Sequence, residues 1–175
     1  MRFAYLLLLV CGTSYSVLSQ NMTIRYGKKH ILPIDENGHA IYQVVEQVPG
    51  ASAAQLYQRS RKWFANGYDW DGKLQLSGID SLTGELTSKG WFKFGSTIYI
   101  FPVSVTVSHC MSVKVKEDQY QVEITNLSLK TPFYKGPIES VHGPSGFVHD
   151  TFIQTDTIVQ VILLESFRKA MKIDN

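Results

Sequence analysis

Residues 98–115 alternate hydrophobic and polar positions with a period of two. Val103, Val105, Val107, Met111, Val113 and Val115 fall on one side, and Ser104, Thr106, Ser108, Ser112, Lys114 and Lys116 on the other. Successive side chains of a strand point to opposite faces, so this pattern predicts a long strand with one dry and one wet side. Pro102 cannot donate to a ladder and predicts a bend near the start of that strand. Residues 85–94 and 120–129 carry matching apolar positions, Leu86, Phe92 and Phe94 in the first and Tyr120, Val122 and Ile124 in the second. Glu117-Asp118 turns the long strand into its return partner. Residues 73–79 and the Val- and Ile-rich stretch 41–48 read as further strands.

The spacing changes to three and four in residues 52–66, where Ala53, Leu56, Tyr57, Ser60, Trp63 and Phe64 form one stripe. Ser52 and Gln55 make a capping box at its start, and Asn66-Gly67 supplies a left-handed stop. Residues 130–150 hold Pro132, Gly136, Pro137, Gly143, Pro144 and Gly146 and read as a long loop. Residues 151–172 read as a buried C-terminal helix, with Arg168, Lys169 and Lys172 at the end favoured by the helix dipole. The expected architecture is α+β: an antiparallel sheet of about five strands with two helices on one face, in the order β-α-β-β-β-β-α. A sheet with one wet face requires the helices to cover the other.

The first residues decide the compartment. Arg2, the apolar run 3–11 and a small-residue exit ending at Ser19 form an export signal. An apolar run of about ten residues is too short to cross a hydrocarbon core of about 30 Å. The expected organisation is a signal peptide over 1–19, an N-terminal extension over 20–30, and one α+β domain over 31–172, with no transmembrane segment after signal removal. The expected location is extracytoplasmic: periplasm, cell envelope or medium. The formal charge of +2 for 175 residues leaves no basic field of the kind that nucleic-acid binding relies on. Once Cys11 leaves with the leader, Cys110 is alone and closes no internal disulfide.

The stretch LPIDENGHAIYQVVEQVPGASAAQLYQRSRKWFA resembles the opening of a family of exported bacterial proteins, domain of unknown function 4468. The strand pair MSVKVKEDQYQVEITNL is similar to that family's long hairpin, and the helix ending Lys169-Ala170-Met171 to its C-terminus. The resemblance covers roughly residues 31–171 and implies a TATA-binding-protein-like fold. It implies no reaction, and the fold label does not imply DNA binding. The chain departs from the family at the last hairpin turn, with Glu117-Asp118-Gln119 where Asp-Gly is common.

Candidate chemistry is sparse. His142, His149 and Asp150 are the only close metal-ligand set, but their spacing fits no strong template, and two solvated loop histidines with Asp150 near a helix start are the favoured reading. Ser145 lacks the glycine and the preceding strand that a nucleophile elbow needs, because Phe147 occupies the glycine position. Asp69-Trp70-Asp71-Gly72 begins like a calcium loop but lacks the later ligands. Asn21-Met22-Thr23 and Asn126-Leu127-Ser128 are glycosylation sequons by pattern alone. His109 falls on the apolar side of the long strand and reads as a core histidine.

The wet face is the most informative surface. Strand parity places Lys89, Trp91 and Lys93 on it, beside Ser104, Thr106, Ser108 and Cys110. A tryptophan among lysines and hydroxyls suits stacking on a sugar, a peptide or a partner's side chain. The resulting expectation is a non-enzymatic envelope or secreted module, without cofactor, that binds a ligand or envelope protein through this face. The alternative is a carrier that holds a small apolar molecule between the sheet and the C-terminal helix. A hydrolase is a distant third.

Overall fold

The computed structural model describes residues 22–26, 29–66, 72–81 and 83–172. The expected leader, its exit at Ser19, the Asn21 sequon, Gly67 and the stretch 69–71 lie outside the described residues.

Eight strands and three α-helices are described. They are β1 (Met22–Tyr26), β2 (Lys29–Ile34), β3 (Tyr42–Gln47), α1 (Ala53–Asn66), β4 (Gly72–Asp80), β5 (Glu85–Ile98), β6 (Phe101–Lys116), β7 (Gln119–Lys130), β8 (Lys135–Pro137), α2 (Ser145–Thr157) and α3 (Glu165–Lys172). The main sheet is antiparallel with strand order β3-β7-β6-β5-β4, and β8 adds a sixth strand on β7. Helix α1 therefore links strands at opposite edges of the sheet, while β4 to β7 form a meander.

Period two sorts the sheet as expected. Val105, Val107, His109, Met111, Val113 and Val115 are buried, whereas Ser104, Ser108, Lys114 and Lys116 are exposed and Thr106, Cys110 and Ser112 are half-buried. The buried side meets Leu56, Trp63 and Phe64 of α1, Phe147, Val148 and Phe152 of α2, and Phe167 and Met171 of α3 in one core. Trp63 meets Phe167 edge-on with ring centroids 5.1 Å apart, and Phe167 meets Tyr120 at 5.4 Å. Edge-to-face contact between large rings adds to their area burial, and here it ties α1 and α3 to the start of β7.

Helix α1 starts as its sequence predicts: the Ser52 amide donates to Gln55 Oε1 at 2.8 Å, and the Gln55 amide to Ser52 Oγ at 3.2 Å.

Four expectations need correction. The N-terminal extension expected over 20–30 contains strand: β1 and β2 form a separate two-stranded antiparallel ribbon. Met22, Ile24 and Tyr26 alternate with polar residues, which is a strand pattern, and Ile41 N–H to Pro33 O at 3.0 Å ties the ribbon to the entry of β3. Strand β5 does not stop at Gly95-Ser96 but runs to Ile98, and a two-residue turn, Tyr99-Ile100, separates it from β6. The segment 130–150 is not one loop. It contains β8, a short 3-10 turn (Ile138–Ser140) and the first turns of α2, because Pro144, with φ −54°, is set for helix entry. The C-terminal helix is also not uniform, since a π-helical segment (Ile158–Leu164) joins α2 to α3. Its buried residues, Ile158, Val159, Leu163 and Leu164, recur at a spacing of five, which the wider π turn places on one side.

Candidate functional site: the open face of the sheet

Strand register brings the wet residues into rows. One row runs Lys73, Trp91, Ser108, Ser128 and Pro137 from β4 to β8. The next towards the β5–β6 turn runs Lys93, Thr106, Lys130 and Lys135, and beyond it Gly95 faces Ser104. On the other side of Trp91 lies Gln75, Lys89, Cys110 and Thr125. Among the described residues these rows hold five lysines and no carboxylate. The carboxylates of the open face, Glu123, Glu85 and Asp80, lie in rows nearer the Glu117-Asp118 turn, where Glu85 pairs with Lys114 at 3.6 Å. A chain whose formal charge is only +2 thus concentrates positive charge on one half of this sheet face.

Trp91 is half-buried at the centre of that half, with Lys93 Nζ 4.8 Å from its ring centroid. A cation over an indole is attracted by the ring quadrupole, and the contact ties the Lys93 side chain to the Trp91 ring. Lys89, Ser104 and Ser108 are exposed. Ser108 Oγ donates to Ser128 O at 3.3 Å, and Ser128 Oγ to Gly136 O at 3.1 Å. These hydroxyls therefore spend their protons on neighbouring strands and offer lone pairs outward.

The structure brings together all six residues expected at the site, Lys89, Trp91, Lys93, Ser104, Thr106 and Ser108, and adds Lys73, Ser128, Lys130 and Lys135. Parity around Leu74 was enough to find Lys73. Ser128 and Lys130 depend on a β-bulge: Asn126 has φ 55°, and β7 places Asn126 and Leu127 opposite the single residue His109. That extra residue reverses the phase, so Leu127 and Leu129 turn inward and Ser128 and Lys130 outward.

The other candidates do not converge. His142 is exposed ahead of α2, while His149 and Asp150 sit in its second turn. Asp150 Oδ2 accepts the Ser96 hydroxyl at 2.7 Å, which fixes α2 to β5. No group of three or more His, Cys, Asp or Glu residues suited to holding a metal occurs among the described residues. Ser145 opens α2 and is exposed. His109 is buried against Phe92, with ring centroids 5.6 Å apart, and burial pushes its pKa down to about 4.

A pocket of about 510 Å3 lies at the sheet edge, where β3 and β8 pair with successive stretches of β7 and leave 125–127 uncovered on that side. Its lining includes Asp35, His39, Asn126, Pro137 and Glu139. Both carboxylates already serve the local chain. Asp35 Oδ1 accepts the Asn37 and His39 amides at 2.9 and 2.8 Å, and the His39 amide is the main reason its carboxyl is held below the usual range. Glu139 accepts the Ala40 amide. No described helix is long and apolar enough to cross a membrane.

These features define an α+β protein of the TATA-binding-protein-like class, with helices on one sheet face and the other open. The chain belongs to the DUF4468 family: residues 42–130, just over half of the chain, match the model of a domain of unknown function with TBP-like fold. A crystal structure of a DUF4468 family protein from Bacteroides ovatus ATCC 8483 is similar at TM-score 0.62 and 16% identity, covering 82% of this chain and 91% of that one. A TBP-like protein from Parabacteroides distasonis ATCC 8503 is similar at TM-score 0.56 and 12% identity, covering 81% of this chain and 97% of that one. At such identities the likeness establishes the fold alone. No curated protein matches the chain.

Proposed function

We propose that this chain is a non-enzymatic module, working outside the cytoplasm, that binds an anionic ligand or partner through the open sheet face around Trp91. The observation that carries this reading is the positive half of that face: an indole with Lys93 over its ring, lysines in its own row and both flanking rows, and no carboxylate among the described residues of those rows. A flat ring beside fixed cations suits a ligand that presents an apolar face next to a negative charge, as an acidic saccharide does. The carrier reading is less well supported. The space between the sheet and the C-terminal helix holds the Trp63, Phe167 and Tyr120 rings in contact, and the pocket at the β7 edge has a mixed polar lining.

Native mass spectrometry of the protein purified from its host's envelope tests the reading directly, because it detects a retained ligand or partner. In titrations followed by tryptophan fluorescence, an oligomer of uronic acids is expected to bind and a neutral oligomer of equal length to bind more weakly. Trp91→Ala is expected to abolish binding measured by isothermal titration calorimetry, a readout that does not depend on the removed ring. Equal binding by Trp91→Ala and the parent chain would remove the open face from consideration.

A further inference from the structure

The two turns that bound β6 differ in kind. Glu117-Asp118 is polar and tied down: the Gly50 amide donates to Asp118 Oδ1 at 2.6 Å, the Val48 amide to Asp118 O at 2.7 Å, and the Ala53 amide to Glu117 Oε2 at 3.0 Å. Asp118 has φ 58°, which an aspartate tolerates in a turn. The opposite turn, Tyr99-Ile100, is apolar and projects. Tyr99, Ile100 and Phe101 are 80%, 83% and 65% exposed, and Phe133, in the turn after β7 at the same end of the sheet, is 78% exposed. Tyr99 has φ 55°. Two-residue hairpins favour glycine or asparagine at such a position, and a bulky side chain there is strained. Local turn chemistry therefore does not explain the tyrosine, and strain of this kind points to a role for the side chain.

Behind the tip lies the row Lys93, Thr106, Lys130 and Lys135. Phe101 and Thr106 are five residues apart along β6, which is about 17 Å at roughly 3.3 Å per residue. An apolar element that seats at a membrane interface enters roughly 5–10 Å past the headgroup boundary. With the tip at that depth, the lysine row would stand roughly 7–12 Å above the boundary, within about one Debye length of the anionic surface. The carboxylates nearest this end are already engaged: Asp150 accepts the Ser96 hydroxyl on the helix side of the sheet, and Glu139 accepts the Ala40 amide.

We infer that the β5–β6 hairpin tip, Tyr99-Ile100-Phe101, seats this protein on an anionic lipid surface, with Lys93, Lys130 and Lys135 as its electrostatic collar. The inference goes beyond ligand binding at Trp91: it shares Lys93, Lys130 and Lys135 with that reading, but the tip, Tyr99-Ile100-Phe101, takes no part in it.

Flotation of the mature chain with vesicles tests it, comparing phosphatidylcholine vesicles with vesicles containing phosphatidylglycerol. The parent chain is expected to float with the anionic vesicles. The triple variant Tyr99→Ser, Ile100→Ser, Phe101→Ser is expected to bind at least about tenfold more weakly, because the wedge is gone. Neutralising Lys93, Lys130 and Lys135 to Gln is expected to weaken anionic binding about fivefold per lysine and leave neutral-vesicle binding unchanged. All proteins are prepared from residue 20 onwards, the expected mature start, so the apolar run 3–11 takes no part in flotation. Circular dichroism checks that the serine variant folds, and its Trp91 fluorescence response to uronic-acid oligomers should match the parent's, which separates this inference from the ligand reading. Equal flotation of the parent and the serine variant would overturn it. So would failure of the parent chain to float, or a parent dimer that the serine variant converts to monomer, which would make the tip an interface between copies.

Discussion

The two faces of the sheet use the same strands for opposite ends. On the covered face, Glu46, Asp156, Glu165 and Arg168 are all paired. Tyr120 donates to Glu46 at 2.8 Å, and Glu46 and Glu165 both pair with Arg168. Tyr42 donates to Asp156 at 3.0 Å. Burial first, and then the neighbouring carboxylate, pushes both phenols well above their ordinary pKa. On the open face, the lysines around Trp91 share their rows with hydroxyls and no described carboxylate. The covered face puts its charges to work holding helices on strands, whereas the described lysines around Trp91 on the open face share their rows with no carboxylate. The comparison teaches that the informative surface here is the one that contributes least to stability.

Substitutions should therefore separate the faces by size of effect. The largest is expected at Trp63, which is buried between Phe64 and Phe167 with centroids at 5.2 and 5.1 Å. Trp63→Ala should lower unfolding free energy by about 3–5 kcal/mol in guanidinium titration. A loss below about 1 kcal/mol would mean that α1 is not anchored through this ring.

Next comes His109 on the covered side of β6. Burial lowers its pKa from 6.5 to about 4. Between those values the unfolded chain binds a proton that the folded chain does not, so this contribution is complete above pH 6.5 and declines as pH falls towards 4. The loss at pH 4 should be on the order of 3 kcal/mol. Because carboxylates also contribute to acid unfolding, the measurement is a difference: His109→Gln should be less sensitive to acid than the parent chain between pH 7 and 4.5. Identical slopes would place the imidazole in contact with water.

Much of this contrast was legible in the sequence. The alternation from Val103 to Lys116 defined both faces of β6, and the Ser52–Gln55 box defined the start of α1, because each depends on residues close together in the chain. What escaped depended on partners far along it. Strand β8 has three residues and exists only as an addition to β7. The reversal of phase at Asn126 needed His109 opposite it to register as a bulge. The start of α2 was hidden by Gly143-Pro144, which reads as loop chemistry until Pro144 is seen at the helix entry. At the site, Trp91 and its neighbours followed from parity alone, whereas Lys130 and Lys135 required the β7–β8 register.

The smallest expected effect, set beside a large one, gives the most direct test. Trp91 and Phe92 are consecutive in β5, with Phe92 2% exposed in the core and Trp91 on the open side. Equilibrium unfolding of the two alanine variants measures the sorting of the sheet into faces at a single peptide step. The account predicts that Phe92→Ala loses about 3–5 kcal/mol, while Trp91→Ala stays within about 1 kcal/mol of the parent chain. A comparable loss in both, or a larger one at Trp91, would contradict it.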